Sequence, residues 1–380
     1  MLNIQLVQEK RKELGLSGAE LAALCGVSRE AVSNLLSGDS EPRPSKAVML
    51  ASALGLTLRE VLGISQELHE PVVAYRTRLN REVSGEAAEA AKELAENVRR
   101  LSPFLPKRVK ISAPRDIEPK ATEAHVRAVA LEMRCRLGLT EHDVVEEEHL
   151  LDLFRHFGAI LVPVFWGLNK ENHENALSVY LPDEESSFVV FNIGCHSEDY
   201  LYWLSHEFGH CLSLHALHGK AGEDYAEFFA QHFLFTSALA ADCSQDIGSR
   251  TGALAFKVID SWAKRHGISA VTVLRAVDKY RAAKPQLCLD KLEGPAFWKR
   301  YNVAKRSSKP VSRQLCGVDS PTTLALVALA KSKFQSPIYE ALGKLQRAEG
   351  GRVPTVIQST LMLPFDEAMA VSVELWNSQA

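Results

Sequence analysis

The sequence predicts an α+β chain that is mainly helical. Three observations carry this: dense helix start and stop signals over residues 1–65, three short β-type runs between 159 and 193, and helical patterns punctuated by prolines over 246–380. At about 100–200 residues per domain, a chain of 380 residues is expected to form two or three domains. A hydrophobic content of 46% suffices for real cores and excludes a disordered chain. The formal net charge of -3 excludes a uniformly basic nucleic-acid binder, but not a local basic face.

Residues 1–65 predict five short helices. The first spans about Ile4 to Leu14, with Ile4, Val7 and Leu14 apolar, and Gly15 stops it. Ser17 caps a second helix with Leu21, Ala22 and Leu24 inside, ended by Gly26. Ser28 caps a third, with Val32, Leu35 and Leu36 on its buried side and Gly38 after it. A fourth follows Pro42 and Pro44 and ends at Gly55; a fifth runs from Thr57 to Gly63.

Residues 69–120 are expected to be a helical connector. The Ala- and Glu-rich stretch Gly85 to Leu101 suits a helix, and prolines at 103, 106, 114 and 119 suit a linker. From 121 to 245 the pattern changes. Helices near 122–137 and 146–157 precede the apolar run 159–164, and strands follow at 177–181 and 187–193. Ser197 then caps a long helix to about Leu217, Gly219 and Gly222 break it, and a further helix runs from about Glu223 to Leu239. Residues 246–380 are expected to form a separate helical region, with six Lys/Arg and no acid between Lys299 and Arg313.

The chemistry is concentrated in His206-Glu207-Phe208-Gly209-His210. Residues four apart on a helix share a face, so His206 and His210 can both reach one Zn²⁺ at about 2.0–2.1 Å. The ion lowers the pKa of a water it holds to about 7, and Glu207 is placed to take the proton and pass it on. A catalytic zinc needs a third protein ligand. A histidine six residues on would serve, but that position is Ala216. Glu223 and Glu227 open the next helix four residues apart, and either is a candidate. His215, His218, Tyr225, His232 and the cysteines, Cys195 and Cys211 included, are better explained by packing.

The second motif is the pair of helices around Cys25-Gly26-Val27. A helix-turn-helix presents polar residues near the start of its second helix to base edges in the major groove. Ser28, Arg29, Glu30, Ser33 and Asn34 fill those positions, with Arg29 suited to guanine and Asn34 to adenine. Arg43 and Lys46 are placed for phosphate contacts. Residues 1–65 carry seven Lys/Arg against seven Asp/Glu, so dimerisation or the basic runs at 107–115 and 299–313 are expected to add affinity. Seven cysteines without C-x-x-C spacing, no leader-like start and no apolar run near 18 residues predict a reducing, cytoplasmic setting and no membrane span.

These motifs carry two resemblances. Leu14-Gly15-Leu16-Ser17, Glu20-Leu21-Ala22, Cys25-Gly26-Val27-Ser28 and Leu50 to Gly55 resemble the Xre (phage Cro/C1-type) helix-turn-helix family, departing from it at Gly18, where many members have a DNA-contacting glutamine. Phe191-Asn192-Ile193, Trp203 to His210 and Glu223-x-x-Ala226-x-x-Phe229-Ala230 resemble the ImmA/IrrE metallopeptidases. The second resemblance implies a zincin-like domain with a small sheet and Glu223 as third zinc ligand; Glu227 stands where Asn is usual. The boundaries it suggests are 1–68, 69–120, 121–245 and 246–380. Together the resemblances imply a bacterial or phage-borne regulator. It would bind operator DNA as a homodimer and cleave a repressor, or itself within 66–120. The alternative is a regulator or antitoxin whose metallopeptidase fold only senses a ligand or metal.

Overall fold

The computed structural model describes residues 2–38, 40, 42, 44–56, 61, 72–75, 85–105, 118–166, 176–182, 186–284, 291–306 and 308–377. The chain divides into two compact units, Met1–His69 and Glu70–Ala380.

In the first unit the predicted caps set the boundaries. Helix α1 spans Ile4–Glu13, with the Asn3 side chain accepting from the Leu6 amide. Helix α2 spans Gly18–Cys25 behind a reciprocal Ser17/Glu20 capping box and stops at Gly26, whose φ of 57° is left-handed. Helix α3 spans Arg29–Ser37, capped by Ser28 and ended by left-handed Gly38. Helix α4 spans Pro44–Leu54. Val7, Leu21, Ala22, Cys25, Val32, Leu50, Ala51 and Leu54 form the core, joined by Val61, whose carbonyl accepts from the Asn3 amide at 2.7 Å. Apart from Val61, the predicted helix 57–63 lies outside the described residues. Leu24 and Leu14, expected inside, are exposed. The inward arc of α2 centres on Cys25, and Leu24 lies about 100° round from it.

The second unit is built on a four-stranded sheet: β1 (Val72–Tyr75), β2 (Ile160–Val164), β3 (Ala176–Leu181) and β4 (Ser186–Asn192), in the order β1-β3-β4-β2. β3 runs antiparallel to both β1 and β4, and β2 parallel to β4. Side chains alternate between faces along each strand. Leu161, Ala176, Val189 and Phe191 face one core; Ile160, Val162, Leu177, Val179, Phe188 and Val190 face another.

The first core is closed by α6 (Glu123–Arg136), α7 (Glu147–His156), α8 (Ser197–Ser213) and α9 (Gly219–Leu234). It also takes α10 (Ser237–Ile247), α11 (Gly252–His266), α12 (Ala270–Ala282), α13 (Pro295–Arg306), α14 (Val311–Cys316) and part of α15 (Thr323–Ser332). The second core is closed by α5 (Gly85–Leu101), α16 (Ile338–Ala348), α17 (Pro354–Leu361) and α18 (Phe365–Asn377).

Two expectations are corrected here. The stretch 69–120 is not merely a connector, because it supplies an edge strand and the buried residues Leu94, Val98 and Leu101. Residues 246–380 are not a separate region, because their helices cover both faces of the sheet. A sheet buried on both sides needs two apolar layers, and 121–245 supplies only one.

Local boundaries also shift. The cap of α8 is His196, with Ser197 its first residue. The long helix ends at Ser213 rather than near Leu217, the break falls at 214–218, and Gly219 and Gly222 belong to α9, which starts four residues earlier than expected. At Gly222 a Cβ would lie 2.9 Å from the Leu217 carbonyl oxygen, so the turn into α9 needs glycine there.

Candidate functional site

His206 and His210 lie one turn apart on α8 and are each 1% exposed. Their Nε2 atoms are 3.1 Å apart. Helix α9 crosses α8 at Gly209, where an added Cβ would lie 2.8 Å from Ala226 Cα. Only a glycine permits that approach, and it carries Glu223 onto the histidine pair. Glu223 Oε2 is 3.4 Å from His206 Nε2, and Oε1 is 3.3 Å from His210 Nε2. Donors at about 2.0–2.1 Å from a tetrahedral ion stand about 3.3 Å from one another. The two imidazole nitrogens stand near that spacing, and the Glu223 carboxylate straddles them with one oxygen toward each. Among the described residues these three side chains are the one group of three His, Cys, Asp or Glu converging within 4.8 Å.

Glu227, one turn further along α9, meets the other side of the His206 ring. Its Oε2 is 3.7 Å from His206 Nδ1, and its Oε1 is 3.8 Å from the Arg275 guanidinium on α12. Burial alone would raise the Glu223 carboxyl, but hydrogen bonds and charge from His206 and His210 outweigh it and hold that group far below the usual carboxylate range. A carboxylate facing two imidazoles is a set of donor types that a divalent ion such as zinc takes.

Glu207 is 2% exposed and points from α8 to the sheet. The Ser178 hydroxyl on β3 donates to its Oε2 at 2.6 Å. Ser178 was missed by the sequence reasoning, since one serine inside an apolar strand carries no local signal.

The remaining candidates pack elsewhere. Tyr225 is buried on the core side of α9, where burial raises its hydroxyl pKa. His232 contacts Glu123 at 2.8 Å. His215 sits edge-on to Tyr180, and His218 is the exposed residue before α9. Cys195 is buried, and burial pushes its thiol up to about 12. The same cause raises Cys211.

In the first unit, Ser28, Arg29, Glu30, Ser33 and Asn34 are all exposed along α3. The Ser28 hydroxyl also accepts from the Ala31 amide and so fixes the start of that helix. The Lys46 ammonium donates to the carbonyls of Cys25 at 3.2 Å and Gly26 at 2.9 Å, which ties α4 to the turn between α2 and α3. Arg43 lies outside the described residues. At Gly18 a Cβ would lie 3.6 Å from the Arg11 guanidinium.

A helix-turn-helix family model matches residues 7–61, which spans α2, the turn and α3. No curated protein and no solved structure gives a significant match to the chain. The N-terminal unit is thus a helix-turn-helix DNA-binding module of a regulator. No described helix is long and apolar enough to cross a membrane.

Proposed function

We propose that the chain is a DNA-binding transcriptional regulator whose second unit is a zinc-dependent endopeptidase acting on a repressor or on the chain itself. One observation carries the enzymatic part: the Nε2 atoms of His206 and His210 stand 3.1 Å apart and the Glu223 carboxylate faces both, one oxygen at 3.4 Å and the other at 3.3 Å, so that one donor from each residue converges within 4.8 Å. Zinc, when bound there, would supply Lewis acidity to a water and to a peptide carbonyl. The chain's own residues do the rest. His206, His210 and Glu223 would hold the ion, and the Glu227 carboxylate, 3.7 Å from Nδ1, places negative charge behind the His206 ring. Glu207, beside His206, takes a proton on its carboxylate and returns it to the departing amine. The face of α3 reads base edges, with a two-fold symmetric operator and a homodimer as the proposed arrangement.

The purified protein is expected to contain about one zinc per chain, lost in His206→Ala. Glu207→Gln is expected to keep the zinc and to abolish cleavage of a co-expressed repressor encoded beside it. A metal-free wild type sinks the enzymatic reading. Zinc retained with cleavage unchanged in Glu207→Gln removes Glu207 as the base. Zinc retained with no cleavage by the wild type leaves a metal-sensing regulator.

A further inference from the structure

Burying a carboxylate is expensive, and a single neutral donor does not offset the cost. Glu207 is 2% exposed, and Ser178 is equally buried beside it. On β3 the α8-facing positions are Ala176, Ser178 and Tyr180, with Tyr180 against His215 and Ser187 of β4 against the Cys211 thiol, and the core around Ser178 is lined by Val189, Phe191 and Leu204. An apolar pair of similar volume at 178 and 207 would pack at least as well. Stability therefore does not explain why both polar groups are present.

Their geometry does suggest a use. The Ser178 hydroxyl lies 2.6 Å from Glu207 Oε2, a short bond to one oxygen only. Ser178 is also locked in place by the sheet. It stands opposite Ala74 of β1 and Val189 of β4, so its backbone is held from both sides.

We infer that Ser178 is a positioning residue: its hydroxyl fixes the plane of the Glu207 carboxylate and reserves Oε1 for the proton that moves during hydrolysis. This rests on the zinc-peptidase reading above. Ser178 is not one of the three converging donors. It acts through Glu207, and a rigid strand rather than a loop sets the base.

The test needs no knowledge of the natural substrate. Acetohydroxamic acid chelates zinc through its two oxygens and donates a hydrogen bond to a carboxylate beside the metal. Its dissociation constant is measured by calorimetry on zinc-loaded full-length wild type, Ser178→Ala, Ser178→Thr, Ser178→Val and Glu207→Gln, together with zinc content and thermal midpoint. Ser178→Ala is expected to keep the zinc and to weaken hydroxamate binding about three- to tenfold, the net scale of one ordinary hydrogen bond, because the bond acts on the ligand only through Glu207. Ser178→Thr is expected to stay within about twofold of wild type, and Ser178→Val, which has the shape of Thr without its hydroxyl, to match Ser178→Ala. Should Ser178→Ala fail to fold, the Thr/Val pair decides alone, because the two differ only in a hydroxyl. If Glu207→Gln weakens binding while Ser178→Ala and Ser178→Val do not, the inference about Ser178 falls and the peptidase reading stands. If the wild type holds no zinc, or Glu207→Gln binds hydroxamate like wild type, both fall together.

Discussion

Glu223 and Glu227 lie one turn apart on α9, yet they meet different nitrogens. Glu223 faces the Nε2 atoms of both histidines, whereas Glu227 lies 3.7 Å from Nδ1 of His206. A group at the ligating edge and a group behind the ring have different consequences when removed. Loss of an outer partner typically weakens a metal site about 10–100-fold without emptying it. Glu227→Ala is therefore expected to bind one zinc at saturation with affinity reduced by about that factor, whereas Glu223→Ala is expected to lose stoichiometric binding. Competition against a chromophoric chelator distinguishes the two. Equal losses in both variants would show that Glu227 is itself a ligand. The i,i+4 spacing of the two glutamates makes both accessible from sequence. Which of them faces Nε2 depends on how far α9 slides along α8, and nothing within either helix encodes that.

The slide is set at the contact of α8 with α9. Gly209 leaves no room for a Cβ, with Ala226 Cα at 2.8 Å and Phe229 Cβ at 3.3 Å. A methyl group at 209 must push two backbones apart, which typically costs about 1–3 kcal/mol in a packed core. Gly209→Ala is expected to lower the unfolding midpoint in urea and to weaken zinc binding, because Glu223 moves away with α9. Gly294→Ala, where nothing stands within 4 Å, serves as the control. Zinc affinity unchanged in a destabilised Gly209→Ala would show that α9 tolerates the shift.

The same contrast explains what was legible at this scale. Caps and left-handed glycines are local, so α2 and α3 could be read off Ser17, Ser28, Gly26 and Gly38. The strands β2, β3 and β4 were legible as apolar runs. β1 was not, because its four residues are too few to show alternation and pair only through distant β3. Ser178 escaped for a related reason: its meaning comes from Glu207, 29 residues away across the layer. Lys46 seemed suited to phosphate, but its ammonium is engaged by the carbonyls of Cys25 and Gly26.

Across the whole chain, the two compact units make separate predictions, since Met1–His69 has its own core and Glu70–Ala380 builds two cores around one sheet. A ligand stabilises only the unit that binds it, by about 2.7 kcal/mol at a hundredfold excess over its dissociation constant. Urea unfolding of the full chain is expected to show two transitions, of which zinc shifts one. A fragment of residues 1–69 is expected to reproduce the zinc-insensitive transition and to bind duplex DNA, with an affinity that falls as salt rises. A chain ending at residue 245 is expected to lose the zinc-sensitive transition altogether. It would strip Ile338, Leu342, Ile357 and Val371 from the face of the sheet formed by Ile160, Val162, Val179 and Val190. That leaves an apolar surface no stable monomer exposes on such a scale. A single transition that moves with zinc, or a folded zinc-binding chain ending at 245, would contradict this division of the molecule.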